Sequence, residues 1–258
     1  MGLSIQQYAE IKDLLSQKIK HKLTQYRPES NSMPFQFRLL GKDRMALFSF
    51  IQSINTMLGA SIFEQVACII ALPHFKRVER QYTGFSGKIS EQAQYLIQEI
   101  MDDLIANRIE SNKSMETAKI LAVAQQGKMK QVKIPTIDLF LISFENSEFY
   151  FDLKTAKPNK GDFEKFKRQL LEWVALRGVE TSTVDIKTLL AIPYNPYEPE
   201  PYERWTNRGV FDWENELMVA DKFWDFLGGE NTYVDLLRVF EDVGITLRPE
   251  IDARFAKF

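Results

Sequence analysis

Cysteine and histidine are nearly absent from the 258 residues: Cys68 is the one thiol, and His21 and His74 are the two imidazoles. One cysteine excludes an internal disulfide and any site with two thiolate ligands. Two histidines are too few for a zinc cage made of side chains alone. Long apolar runs are also missing. No stretch reaches about 18 uninterrupted apolar residues, and the opening MGLSIQQYAEIKDLL is polar and amphipathic, without the apolar centre of a secretion signal. The expectation is a reducing, cytoplasmic setting with no membrane partner. Charge of one sign is lacking too: 33 Lys and Arg against 35 Asp and Glu leave a net −2. That excludes a uniform cationic coat while leaving room for a local basic cleft. Phosphate-cradling glycine loops, a G-x-S-x-G elbow and a G-x-G-x-x-G fingerprint do not occur. Nucleotide-driven motors, typical serine hydrolases and Rossmann dehydrogenases are thereby removed, and no nucleotide cofactor is expected. A Cys–His nucleophile would need Cys68, which lies in the apolar run VACIIA and reads as core.

What is present is an ordinary globular composition, 45% apolar and 26% charged, enough for one domain with a helical elaboration. Apolar positions at Ile5, Tyr8, Ile11, Leu15, Ile19 and Leu23 predict a surface helix over 4–24. A proline-bearing loop over 25–34 leads to a helical block over 43–72, interrupted at Gly59 and stopped by Pro73. The stretch HFKRVERQYTGFSGK that follows is basic and glycine-punctuated, a connector or a DNA-facing loop. Ser90 caps a helix over 90–108 with Tyr95, Ile97, Ile100, Leu104 and Ile105 on its apolar stripe. From Val132 the texture changes to β-branched and aromatic residues with a polar break at Glu145, Asn146 and Ser147, which predicts a β-hairpin. Its strands are apolar on both faces, as in a central sheet covered by helices. A helix over 162–177 closed by Gly178, a strand over 187–194, and helical segments near 216–227 and 232–243 complete the chain.

Charged residues interrupt this hairpin at few positions. Asp138 sits in the first strand, and Asp152, Leu153 and Lys154 end the second. Residues two apart on a strand share a side, so Asp152 and Lys154 flank one patch while Leu153 faces the core, and pairing can bring Asp138 beside them. Two carboxylates and the backbone carbonyl of Leu153 form an oxygen-rich site suited to Mg²⁺. A lysine alongside can orient or deprotonate a water and counter charge on a phosphoryl group, which is equipment for phosphodiester hydrolysis. A D-x-K tripeptide is common by chance. Within the apolar strands IDLFLI and FYFDLK, however, a charge is costly without a partner or ligand.

The arrangement Pro135-Thr136-Ile137-Asp138, then Asp152-Leu153-Lys154, resembles the PD-(D/E)xK nuclease superfamily, which includes most type II restriction endonucleases; here the first motif reads P-x-x-D. The longer run FYFDLKTAKPNKGDFEKFKRQLLEW, with YNPYEPEPYERW and KFWDFLGGENTY, is similar more narrowly to the TdeIII-like restriction endonucleases, and the likeness extends from about residue 58 to 237. The resemblance implies an α/β fold with a restriction-endonuclease-like core, a mixed central β-sheet flanked by helices, and a helical N-terminal elaboration. The expected division is a single endonuclease domain: a helical part over 1–57, a catalytic core over 58–194, and a recognition and helical part over 195–258. It implies Mg²⁺-dependent cleavage of double-stranded DNA to 5′-phosphate and 3′-hydroxyl ends. A homodimer on a palindrome is expected, with a hint of a short GC-rich site of the GGNCC kind. It also implies a glutamate from an earlier helix in the metal site. Glu64, the single charge in GASIFEQVACII, is the candidate, unless it lies on an exposed stripe beside Gln65; Glu99 is second.

DNA contacts are expected at Lys157, Lys160 and Arg168, with Lys165 and Lys167 either joining this cationic edge or lying on a solvated helix face. Base reading would use Arg204, Asn207 and Arg208, or the surface of Lys76, Arg77 and Arg80. The alternatives are a repair or recombination nuclease of the same superfamily and a non-catalytic DNA-binding module. An amino-methyltransferase reading of Asn195-Pro196-Tyr197 lacks its second proline and its cofactor loop.

Overall fold

The computed structural model describes residues 2–27, 33–154, 159–203 and 209–256, with the side chains of Ala60 and Lys160 left aside. Its contacts group into two compact units. Met1–Ile70 and Gly228–Phe258 form one, and Ala71–Leu227 the other.

The first unit is helical. Helix α1 (Ile5–Gln25) begins at a capping box in which the Ser4 hydroxyl accepts from the Gln7 amide and the Gln7 side chain accepts from the Ser4 amide. Its buried stripe, Ile11, Leu15 and Leu23, follows the 3.6-residue period. Helices α2 (Pro34–Leu40) and α3 (Lys42–Met57) follow, and then a π-helical turn, Leu58–Ile62, leads into α4 (Phe63–Ala71). The predicted interruption at Gly59 is this turn. The last helix, α9 (Thr232–Phe255), returns to pack along α1 through Leu236, Val239, Val243 and Leu247. The chain's two ends thus share one core, so a division at 57/58 and 194/195 does not follow the contacts.

The second unit is built on a five-stranded sheet of order β1-β4-β5-β6-β7, with β1 (Arg77–Tyr82), β4 (Ile137–Ile142), β5 (Glu148–Leu153), β6 (Ile186–Ile192) and β7 (Leu217–Val219). The pairs β1–β4 and β4–β5 are antiparallel and the pairs β5–β6 and β6–β7 parallel, so the sheet is mixed. A short ribbon joins β2 (Lys88–Ser90) to β3 (Met129–Gln131). Helices α5 (Glu91–Ile105), α6 (Lys113–Val123), α7 (Lys160–Glu180) and α8 (Asp221–Gly228) complete it. One face of the sheet meets α7, where Tyr150 lies edge-on to Trp173 at 6.4 Å; on the other, Phe151 meets Phe223 of α8 at 5.5 Å. A sheet covered on both faces explains why β4 and β5 read as apolar throughout.

The structure departs from the sequence pattern at several elements, with strand β7 at Leu217–Val219 where a helix was expected. The basic stretch after Pro73 is neither connector nor free loop over Arg77–Tyr82: it is edge strand β1, paired with β4 from Arg77↔Ile142 to Tyr82↔Ile137. An edge strand with one solvated face can be rich in charge, which hides it from an apolar pattern. Helix α7 runs through Gly178 to Glu180 instead of closing there. A Cβ at Gly178 would lie 2.6 Å from the Ala124 Cβ, so the glycine serves close helix packing. Helix α6 was not anticipated; its apolar stripe is thin and its buried set includes Lys113 and Glu116.

Candidate active site

The sequence-predicted cluster assembles where β4 and β5 run side by side. Leu139 pairs with Phe151, which places Asp138 next to the end of β5. The Leu153 amide donates to Asp138 Oδ2 at 2.8 Å, fixing that carboxylate against the strand. Lys154 Nζ reaches Asp152 Oδ1 at 2.6 Å and Asp138 Oδ2 at 3.6 Å, and donates to the Leu153 carbonyl at 3.4 Å. Its own amide donates to the Ala191 carbonyl of β6 at 2.9 Å. Asp152 is 2% exposed while Leu153 is buried on the other side, the alternation that a strand dictates.

Burial pushes the Asp152 carboxyl up to about 6; Lys154 pulls it down and the nearby Asp138 carboxylate pushes it further up. Burial acts to lower the Lys154 pKa, but Asp152 and Asp138 outweigh it and the net shift is upward. The lysine is therefore a firmly charged ammonium, held 5.3 Å over the Phe166 ring.

Two residues not anticipated from sequence touch the cluster. Gln169 of α7 donates to Asp152 Oδ1 at 3.3 Å, and Gln81 of β1 donates to Asp138 Oδ1 at 3.5 Å. A signal for Gln169 exists: it is the amide within the stripe Phe163, Phe166, Leu170 and Trp173 that faces the sheet. Gln81 carried none, because β1 was not read as a strand.

Asp152 Oδ2 is buried with no hydrogen-bond partner among the described residues. An orphaned carboxylate oxygen beside a second carboxylate and a backbone carbonyl suits a hard divalent cation, for which one or two carboxylates suffice when waters fill the remaining positions. Among the described residues no group of three or more His, Cys, Asp or Glu gathers at metal-binding distance. Glu64 is buried on α4, not on an exposed stripe, and belongs to the first unit; Glu99 is exposed on α5.

The expected DNA contacts fare differently. Lys157, Arg204, Asn207 and Arg208, and the Lys160 side chain, lie outside the described residues. Arg168 is half-buried and donates to Gln98 at 2.9 Å. Lys165 is exposed. Lys167 is neither on a cationic edge nor on a solvated face: it is fully buried and spends three donors on Ser111 at 2.9 Å, Glu116 at 2.6 Å and Glu216 at 2.6 Å. Helical phase decides this, because Lys167 follows Phe163 by four residues and shares its inward face. Lys76, just before β1, bonds Asn146; on β1, Arg77 bonds Glu79 and covers the Tyr82 and Phe140 rings, and Arg80 is exposed.

The family model for the type II restriction endonuclease HinfI matches residues 3–244. The chain belongs to that family. Curated relatives include the type II restriction enzyme HgiEI of Herpetosiphon aurantiacus, 27% identical over 268 residues that cover 94% of each chain. HgiCII of the same organism is 28% identical over 228 residues, covering 84% of this chain and 80% of the relative. MjaII of Methanocaldococcus jannaschii is 25% identical over 226 residues, covering 82% and 58%. No solved structure matches. The HinfI-type family makes this chain a restriction endonuclease with DNA as its substrate, and the mixed sheet between helices agrees with a restriction-endonuclease-like fold. The family shown is the HinfI type; the narrower TdeIII-like likeness remains a resemblance of sequence. No described helix is long and apolar enough to cross a membrane.

Proposed function

We propose that this HinfI-type enzyme is a Mg²⁺-dependent, site-specific endonuclease that hydrolyses both strands of a short palindrome, GC-rich in the manner of GGNCC, and acts as a homodimer. The observation that carries the chemistry is the convergence of Asp138, Asp152 and Lys154, with a buried Asp152 oxygen left without a partner. Asp138, Asp152 and the Leu153 carbonyl would hold the ion, and Glu64 is proposed to complete the set. When bound, Mg²⁺ polarises the phosphoryl oxygen and lowers the pKa of the attacking water. Lys154, held as an ammonium, is suited to orient that water and to counter charge on the phosphoryl oxygens, and unsuited to take its proton. Gln169 and Gln81 fix the two carboxylates by donating to the Oδ1 of each. Water adds at phosphorus and gives up one proton to solvent, the bond to the 3′ oxygen breaks and that oxygen takes a proton from solvent, and 5′-phosphate and 3′-hydroxyl ends result. Lys157, Lys160 and Arg168 are proposed to contact the backbone, and Arg204, Asn207 and Arg208 to read base edges.

The test is incubation of unmethylated phage DNA with purified protein, in Mg²⁺ and in EDTA, beside Asp152→Ala. Discrete Mg²⁺-dependent fragments, absent with Asp152→Ala although DNA binding persists, are expected, and sequencing their ends gives the site. Wild-type cleavage by Asp152→Ala overturns the metal assignment. Cutting confined to branched or nicked DNA moves the reading to a repair nuclease.

A further inference from the structure

A cavity of about 330 Å³ lies along the side of α7 next to the one that carries Gln169, and of the residues given a role above it shares Arg168. Four segments line it: β2, α5, the chain over 132–135, and a single stripe of α7. Its floor is aliphatic, with Ile89, Ile97 and Leu176 all buried. Its mouth carries Gln94 and Glu172, both half-buried, between the cations Arg168 and Lys133. Neither the Gln94 amide nor the Glu172 carboxyl has a hydrogen-bond partner among the described residues. Burial holds the Glu172 carboxyl above the ordinary carboxylate range, with Arg168 pulling it back.

The position matters as much as the lining. The 132–135 wall continues directly into Ile137 and Asp138, and its Pro135 carbonyl accepts from Trp173 Nε1 at 3.1 Å. The stripe of Arg168, Glu172 and Leu176 sits one residue out of phase with Gln169, which touches Asp152. One helix thus lines the cavity with one side and braces a metal-site carboxylate with the next.

We infer that this cavity is a binding site for a single nucleobase. Val132 and Pro135, half-buried in the wall, offer apolar surface to a flat ring above the buried floor. At the mouth, one free amide offers a donor and an acceptor side by side, and one free carboxyl accepts from an exocyclic amino group. The flanking Lys133 and Arg168 suit the phosphate that a nucleotide carries. Adenine, cytosine and guanine, which carry such an amino group, rank above thymine. The base can come from a free nucleotide or from a strand of the substrate with that base unstacked. The second source rests on the endonuclease reading above.

The test has two arms. In the first, the four deoxynucleoside 5′-monophosphates and deoxyribose 5-phosphate are titrated calorimetrically into the intact protein. Saturable binding of dAMP, dCMP and dGMP, tighter than that of dTMP, is expected, weakened about tenfold or more in Gln94→Leu and in Glu172→Leu, which is one lost hydrogen bond to a charged or polar group at a half-buried site. Both changes are at the mouth, so far-ultraviolet circular dichroism should stay that of the wild type. In the second, duplexes with 2-aminopurine placed beside each position of the mapped site in turn are mixed with Asp152→Ala, so that the unstacked base keeps its own amino group while its neighbour reports the loss of stacking. A fluorescence rise at one position that Gln94→Leu removes assigns the base to the substrate, and nucleotide binding without a rise assigns it to free nucleotides. Equal binding of deoxyribose 5-phosphate, or no base-dependent signal in either arm, overturns the site. Cleavage with no base binding defeats this inference alone, whereas base binding without cleavage defeats the endonuclease reading and leaves the cavity's assignment standing.

Discussion

Asp152 carries opposing demands in one side chain: burial resists its charge, Lys154 favours it, and one oxygen is left without a partner. In EDTA the folded carboxyl, pushed up to about 6, holds its proton over a range in which the unfolded one, near 3.8, has lost it. The native state then binds more protons than the unfolded state, so stability should fall as pH rises from about 4 to about 6. Asp152→Asn is expected to flatten that slope in urea unfolding at a series of pH values; an unchanged slope would assign it to another group. Lys154→Met should extend the decline to higher pH, because removing the ammonium leaves Asp138 and Asp152 facing each other unneutralised and raises the carboxyl further. Asp138, Asp152 and Lys154 were legible because charge is conspicuous in an apolar strand. Their partner Gln169 was not anticipated although it is the amide within the inward stripe of α7, because an uncharged group marks a helix face less than a charge marks an apolar strand.

Helix α7 links several parts of the second unit, and its register is set by burial. Lys167, Lys113, Glu116 and Glu216 form an enclosed set in which Lys113 also reaches Glu216 at 3.0 Å and donates to Thr188 at 2.6 Å. Burial lowers the Lys113 pKa even with Glu216 beside it. Lys167→Met would leave Glu116 and Glu216 sharing one cation, and a loss of about 3–5 kcal/mol in equilibrium unfolding is expected. A loss below about 1 kcal/mol would show that water enters and solvates the cluster. Gly178→Ala should cost about 1–3 kcal/mol, since the new methyl would meet Ala124 at 2.6 Å within a packed helix pair. Both effects belong to the element: helix propensity alone favours alanine over glycine at that position.

For the whole molecule, ligand linkage gives the readouts. Mg²⁺ should raise the melting temperature of the wild type and leave Asp152→Ala unmoved. Saturation at 100 times the dissociation constant corresponds to about 2.7 kcal/mol. An equal rise in both proteins would place the ion elsewhere. With a net charge of −2, DNA binding depends on a local cationic surface and should fall steeply with salt. Lys157→Ala is expected to weaken binding and to reduce the slope of log affinity against log salt by about one, with the cleaved sequence unchanged. Sedimentation of the protein at micromolar concentration checks the homodimer.

The sequence by itself determined the covered hairpin, the pairing of Asp138 with the Asp152–Lys154 patch, and the helical character of both ends. These follow from periodicity and from the cost of charge among apolar neighbours, which are local properties. Tertiary structure alone decided that the basic stretch after Pro73 is edge strand β1, since one solvated face removes the apolar signal. It also decided that Lys167 is core and not DNA-facing, because its charge is neutralised by glutamates 51 and 49 residues away in sequence. The close approach of Ala124 carried α7 past Gly178, and the return of α9 to α1 joined the chain's ends in one unit. Contacts between residues far apart in the chain leave no period for a sequence to display.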